Sequence, residues 1–344
     1  MKTIALFNNK GGVGKTTLAF HLTWMLHHLG ERVLAVDLDP QANLTAAFLP
    51  DEEVELLWDA KPPSTVYGAV EPLLERLGDI HEPSVHVVAD GLALVAGDLA
   101  LARFEERLAE TWPRCLDDNP SSAADAFRVT TAFHRIVTRA AAAQSATVAI
   151  LDVGPSLGAL NRAALVAADF VVVPLAADLF SLRGLRNLGP TLAEWRTGWE
   201  ERRKRPRVPD GLDMPTGAMK PLGYVVLQHA ARKASEPARA YSRWIRRFPE
   251  AFHSNILRDA VPVGDDPSRI SLLRHFRSLL PMALEARKPI FDLTAADGAI
   301  GSHAATVCDA RAVFEELARA IGMRAVVGQW AQSSSEKPRR KRDG

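Results

Sequence analysis

Two cysteines in 344 residues, Cys115 and Cys308, stand far apart and in no metal-ligand spacing. That excludes a disulfide framework or a thiolate metal cage and fits a reducing compartment. Charge of one sign is missing as well. The 42 lysines and arginines balance 41 aspartates and glutamates, for a net charge of +1. No global field therefore draws the chain to nucleic acid or membrane, and any basic surface must be local. The most apolar stretch, Ala163 to Phe180, is broken by Asp169, Pro174 and Asp178, so it is no membrane span. At the start of the chain Asn8 and Asn9 interrupt the apolar residues, so no secretory leader is expected and the chain reads as cytoplasmic. What is left, 47% hydrophobic and 24% charged, is the composition of a soluble globular protein with room for one large α/β domain or two smaller ones.

Against that plain background one stretch stands out, Asn8-Asn9-Lys10-Gly11-Gly12-Val13-Gly14-Lys15-Thr16-Thr17. The apolar segment Thr3 to Phe7 before it has strand character. Leu18, Leu22, Met25, Leu26 and Leu29 after it recur at helical spacing, with Gly30 as the stop. Strand, glycine-rich turn and helix are the context of a phosphate-binding loop. Glycines let backbone N–H groups close around phosphate oxygens, and the helix N-terminus adds its positive dipole end. Lys15 is placed to reach the β- and γ-phosphates of ATP and Thr16 to bind Mg²⁺, with Gly11, Gly12, Val13, Gly14 and Thr17 completing the loop. Asn9 stands at the first glycine position of the usual pattern; asparagine tolerates left-handed backbone, so the loop can form.

Carboxylates recur where strands end. Val33 to Val36 reads as a buried strand running into Asp37-Leu38-Asp39-Pro40-Gln41-Ala42-Asn43. Ala146 to Leu151 is another, ending in Asp152, the pattern in which the carboxylate holds Mg²⁺. Ligands of open α/β sheets bind at the carboxyl ends of strands. Further strands are expected at 85–89, 170–174 and 222–227, with helices at 66–77, 182–199 and 303–321 and an exposed loop at 111–126. These runs predict an α/β fold, a doubly wound, mostly parallel sheet flanked by helices.

The glycine-rich stretch resembles the deviant Walker A ATPases, the ParA/MinD family, whose signature KGGVGKTT is present in full from Lys10 to Thr17. The segments Asp37 to Asn43 and Asp152 to Gly158, with Asn161, resemble further family motifs. The resemblance, closest to ParA/Soj-like partition ATPases, implies that Lys10 crosses a dimer interface to the partner's nucleotide. It implies that Asp39 positions the attacking water and that Asp37 lies near the metal shell. It also implies an ATP-dependent homodimer that binds DNA non-specifically, associates with the nucleoid and is released by a ParB-like activating adaptor protein. Relatives place an asparagine where this chain has Gln228, which bears on the adenine contacts.

The expected ATPase domain spans 1–322, with extra length at 51–82 and 105–130 read as structural decoration. A basic tail at 323–344 is expected to be disordered. Arg243, Arg246 and Arg247, then Arg274 and Arg277, are candidate phosphate contacts on helix faces, beside Arg269. A MinD-like membrane-associated ATPase is the alternative, although the tail lacks an apolar face; a scaffold without catalysis is another, against which Asp39 stands. An iron–sulfur electron-transfer relative needs a cysteine pair beside the switch segments, where Cys115 and Cys308 do not lie.

Overall fold

The computed structural model describes residues 1–205, 208–229, 231–233, 236–237, 239–276 and 278–327. β1 (Lys2–Leu6) runs into α1 (Lys15–His28), and β2 (Val33–Asp37) into α2 (Asn43–Phe48), α3 (Asp51–Asp59) and α4 (Val66–Leu74). β3 (His86–Ala89) and β4 (Leu92–Val95) form an antiparallel hairpin, followed by α5 (Phe104–Arg114), α6 (Pro120–Thr130) and α7 (Ala132–Ala143). Then come β5 (Val148–Asp152), α8 (Ala159–Val166), β6 (Phe170–Ala176), α9 (Leu179–Arg203) and β7 (Lys220–His229). A short antiparallel pair, β8 (Ala231–Lys233) and β9 (Glu236–Pro237), precedes α10 (Arg239–Ile245), α11 (Phe248–Phe252), β10 (Arg269–Arg274), α12 (Leu279–Ala286) and α13 (Ser302–Ala325).

Eight strands form one sheet in the order β10-β7-β6-β1-β5-β2-β4-β3, parallel throughout except at β3. Alternate residues of each central strand enter opposite cores. Ala5 and Phe7 join Phe104, Phe127, Leu185 and Trp199 on one face, while Ile4 and Leu6 join Leu22, Phe48, Phe314 and Leu317 on the other. This is the doubly wound α/β sheet expected of strands buried on both sides. The chain leaves β1 for β2 on one side and later crosses from β5 to β6 on the other, so the strand order reverses around β1, at whose carboxyl end a ligand crevice opens.

Three expectations are corrected. Residues 269–274, whose arginines were placed on a helix face, form the edge strand β10, paired only with β7. Its half-buried residues keep Arg269 and Arg274 at the strand ends in reach of water. The stretch 111–126 is helical except at 115–119, a short turn between α5 and α6: Asn119, read as a loop residue, caps α6 by accepting from Ser121 N at 2.9 Å, and Pro120 occupies the first turn. Finally α10 stops at Ile245, so Arg246 and Arg247 lie in a turn and do not continue the helix face of Arg243.

Behind β7 a buried polar clamp holds the edge of the sheet. Tyr224 donates to Asp266 at 2.6 Å; the two ring nitrogens of His253, in the π-helical turn His253–Leu257, meet Asp259 at 2.7 Å and Asp266 at 3.0 Å. Ser268 Oγ also lies 3.2 Å from His253 Nε2, but the Asp266 carboxylate keeps that nitrogen protonated, so no serine nucleophile is activated here. Burial opposes the imidazolium, yet the two carboxylates outweigh it and hold His253 above the ordinary histidine value. Asp266 lies below its ordinary value: burial opposes that shift, and bonds from Tyr224, His253 and the Ser268 N–H outweigh it. The histidine's contribution is complete below about pH 6.5 and is lost as pH rises through its raised value; that of Asp266 is present above about pH 4 and is lost as pH falls through its lowered one. Thermal melts from pH 6 to 9 should therefore show a fall in the midpoint that His253→Gln removes, with a loss of about 2 kcal/mol at pH 6. Parallel curves for the two proteins would refute the charged clamp.

Candidate functional site

The loop between β1 and α1 is shaped by its own glycines and by two asparagines. Gly12 and Gly14 take left-handed backbone, at φ of 70° and 90°, which turns successive N–H groups to the same side. Asn8 ties the loop to the sheet by donating to Pro174 O on β6 at 2.6 Å, and its Oδ1 accepts from Lys10 N at 3.1 Å. The Oδ1 of Asn9 is buried without a hydrogen bond. Lys15, only 7% exposed, lies back over the loop, its Nζ 3.4 Å from Lys10 O. Burial pulls its pKa below the ordinary lysine value, and Asp152 and Asp39 act against that fall. The loop's exposed residues Gly11 and Gly12 leave its mouth open to solvent.

One turn into α1, His21 fixes the helix to the C-terminal part of the chain. Burial lowers its pKa to about 4, so the ring is neutral. Nε2 accepts from Ile290 N at 3.1 Å, which leaves Nδ1 to donate to Thr17 O at 2.6 Å. The tautomer follows from the partners.

Parallel register brings the carboxylates together. Asp37 on β2 is paired directly with Asp152 on β5, and Asp152 in turn with Leu6 at the end of β1. Asp37 is wholly buried: one oxygen accepts from Thr45 N and Thr45 Oγ1, both at 2.8 Å, and the other faces Asp39 N at 3.3 Å. Its oxygens are thus spent on the chain between Asp39 and Thr45, which makes Asp37 first a support for Asp39. Asp39 Oδ1 accepts from Gln41 N at 3.0 Å and packs on Gly154.

Asp152 is different. It is wholly buried, and neither carboxylate oxygen has a hydrogen-bond partner. Burial and the neighbouring Asp37 push its pKa well above the usual carboxylate range, with the Thr16 hydroxyl and Lys15 acting only in part against them. A buried, unpartnered carboxylate beside a threonine hydroxyl fits a small divalent cation that prefers oxygen. Among the described residues no three histidine, cysteine or acidic side chains are grouped to hold a metal alone, so ligand oxygens would have to complete the shell.

Lys10 points elsewhere. Its Nζ donates to Asp178, the residue that caps α9 through Ser181 N at 2.8 Å, and lies 5.7 Å from the centre of the Phe180 ring. Phe180 is 70% exposed, and Leu179 before it is exposed as well.

Other residues of the site are not marked in the sequence. A notch lined by Gly14, Thr17, Leu227, Leu273, His275 and Phe276 opens between α1 and the ends of β7 and β10. Its walls are apolar, but its volume of about 30 Å³ is that of one water molecule, so the notch as it stands does not hold a planar base. Unrecognised as a strand, β10 could not be placed there from sequence; the Gln228 side chain lies outside the described residues. Arg274 also lines this notch and pairs with the exposed Asp309 at 2.7 Å. Arg277 lies outside the described residues. Arg243, Arg246 and Arg247 are exposed, with Arg243 and Arg247 at 4.6 and 5.6 Å from the Trp244 ring centre.

Comparison with known proteins adds to this geometry. A family model described as an AAA domain matches residues 1–202. The chain is 34% identical over 204 residues to the chromosome-partitioning ATPase Soj of Thermus thermophilus, a match covering 59% of this chain and 66% of that protein, just short of two thirds of its length. Among solved structures, protein DIP2308 of Corynebacterium diphtheriae is 27% identical, with a TM-score of 0.62, over 83% of this chain and 97% of that one. A putative plasmid partition protein of Borrelia burgdorferi bound to AMPPNP is 17% identical, with a TM-score of 0.57, over 93% and 98% of the two chains, a likeness of fold.

Proposed function

We propose, from the premise that this chain belongs to the ParA/MinD family of AAA-domain proteins, that it is a Mg-ATP-binding and hydrolysing switch which dimerises on ATP and binds DNA without sequence preference. The observation that carries the nucleotide half of this reading is Asp152, buried and unpartnered beside Thr16 and Lys15 at the open mouth of the loop. The backbone N–H groups and Lys15 would bind the phosphates. Thr16 and Asp152 would hold Mg²⁺, which when bound supplies neutralisation of phosphate charge. Asp39, whose Oδ1 accepts from Gln41 N and whose N–H faces Asp37, would orient the attacking water. Lys10 would exchange Asp178 for the nucleotide of a second copy.

The DNA half rests on exposed arginines with a mechanical link to the nucleotide. Arg243, Arg246 and Arg247 surround the start of α11, which packs against α9. That helix begins at Asp178, the residue holding Lys10. The likeness to the chromosome-partitioning ATPase Soj favours a partition role; a ParB-like activator and nucleoid association are what the family resemblance implies. Among the described residues no helix is long and apolar enough to cross a membrane. Contacts of this kind go to phosphates and carry a salt signature. Three arginines from each of two copies would give a slope of log affinity against log salt of about −5, at about −0.9 per neutralised phosphate. The test is fluorescence anisotropy with unrelated duplexes, beside ATP turnover with and without DNA. Steep salt dependence with ATP, weak binding with ADP, and loss of the slope on replacing Arg243, Arg246 and Arg247 by alanine are expected. Equal affinity in ATP and ADP would overturn the gating and turn the search to a protein or lipid target.

A further inference from the structure

Helix α8 follows the loop that leaves Asp152, and it has no cap of its own. Gly158 stands at its N-cap position and offers no side chain. The first N–H groups of a helix need acceptors. Here they come from 54 and 55 residues earlier in the chain: Glu105, in the first turn of α5, accepts from Ala159 N at 2.6 Å with one oxygen and from Leu160 N at 2.7 Å with the other. A carboxylate on a helix N-terminus, in two short charge-assisted bonds, is a strong and directional hold. Gly158 is shaped around it, since a Cβ there would lie 2.4 Å from Glu105 Oε1.

The hold reaches the reacting side of the site. Between Asp152 and α8 the loop is also gripped by Asn161, whose amide donates to Gly154 O at 2.8 Å and Ser156 O at 2.7 Å. Gly154 in turn lies against Asp39, a Cβ there being 3.3 Å from Asp39 Oδ1. Glu105, the α8 N-terminus, the loop 153–158 and Asp39 therefore form one contiguous series of contacts. A second contact keeps α5 and α8 in register, with the Arg162 guanidinium over the Trp112 ring at 4.3 Å. Beyond Glu105, α5 is braced to α6 by Arg107 on Asp125 at 2.8 Å and Arg114 on Ser122 at 3.1 Å. The stretch 105–130, expected to be decoration, is fastened to the loop after Asp152.

We infer that Glu105 is a positioning residue for this loop, and through Gly154 for Asp39, so that it governs the hydrolytic step and leaves nucleotide binding alone. The inference rests on the ATPase reading above for its kinetic part. No atom of Glu105 touches the reacting groups.

The test uses the full chain and four variants: Glu105→Ala, Glu105→Gln, Gly158→Ala and the double Glu105→Ala with Gly158→Ala. Glu105→Ala should lower kcat about ten- to a hundredfold, the range that small misplacements of a site produce, with the dissociation constant of a fluorescent ATP analogue changed less than about twofold. Glu105→Gln, which keeps one oxygen acceptor, should fall between. Gly158→Ala should mimic Glu105→Ala in the native background, because its methyl displaces the carboxylate, and should cost nothing more once Glu105 is gone. A helix cap with no reach into the site predicts the opposite: kcat unchanged, or a fall that is additive in the double variant. Either outcome overturns the inference. Should the native chain turn over no ATP, the ATPase reading fails and amide exchange decides the positioning separately. Faster exchange at 154–160 in Glu105→Ala supports it; loss of protection at Ala159 and Leu160 alone refutes it.

Discussion

Replacing Lys15 by alanine should weaken ATP binding at least about a hundredfold in a chain that stays folded. The lysine is 7% exposed, with Asp152 and Asp39 as its charged neighbours. Without it Asp152 and Asp39, the two carboxylates that act on the lysine, lose the cation they face. The loop glycines supply only neutral donors, about half as strong as charge-assisted ones. Loss of one partner from a buried charged group costs about 3–5 kcal/mol. At about 1.4 kcal/mol per tenfold, that weakens nucleotide binding by roughly a hundredfold or more. Titration calorimetry with Mg-ATP, beside a thermal melt of the same sample, makes the measurement. The melt matters because burial already works against the lysine's charge, so its removal should leave the fold standing. Unchanged affinity in a folded Lys15→Ala protein would sink the phosphate-loop assignment.

What could be read from the sequence follows from which residues carry their own context. The central strands are apolar runs buried on both faces, and such a run ending in aspartate looks the same in sequence and in space; β2 with Asp37 and β5 with Asp152 are of this kind. The phosphate loop was legible because strand, glycines and helix are consecutive. At the sheet edge this fails. In β10, Arg269-Ile270-Ser271-Leu272-Leu273-Arg274, the burial pattern is mostly intermediate, and arginines at both ends among leucines fit a helix face as well as a strand. Only its pairing with β7 decides, and that partner lies some 45 residues earlier, as in Arg269 against Tyr224. Asn119-Pro120-Ser121-Ser122 carries the converse ambiguity. Turn residues and helix-start residues are the same residue types, and the side-chain bond to Ser121 N separates them. Glu105 was unreadable as a support for the loop after Asp152, since nothing local distinguishes it from Glu106. Its meaning arises where α5 crosses the start of α8.

Lys10 and Asp39 should fail in opposite ways. In the single chain Lys10 is engaged with Asp178 and lies over Phe180, while Lys15 alone is folded onto the loop. Binding of Mg-ATP by one copy therefore has little need of Lys10, and Lys10→Ala should leave affinity within about threefold, since exposed ion pairs contribute at most about 1 kcal/mol. A second copy would approach across the exposed Leu179 and Phe180, and there the Lys10 amine, on a partly exposed ion pair, can leave Asp178 for a phosphate. Lys10→Ala should accordingly stay monomeric with ATP and hydrolyse almost none. Asp39→Ala removes a carboxylate whose hydrogen bond is to Gln41 N within its own turn. That variant should bind ATP, dimerise and then fail to turn over, accumulating as a dimer because the water is not oriented. Sedimentation velocity with ATP, paired with phosphate release, distinguishes the two. Asp178→Asn provides the control. Its amide oxygen can still cap α9 at Ser181 N while the charge on Lys10 loses its partner. If Lys10 matters only as half of an internal ion pair, Asp178→Asn will behave like Lys10→Ala. If it acts on the nucleotide of the other copy, Asp178→Asn will dimerise at least as readily as the native chain, because the lysine no longer has to be released. A Lys10→Ala protein that dimerises and hydrolyses at the native rate would remove the cross-interface role altogether.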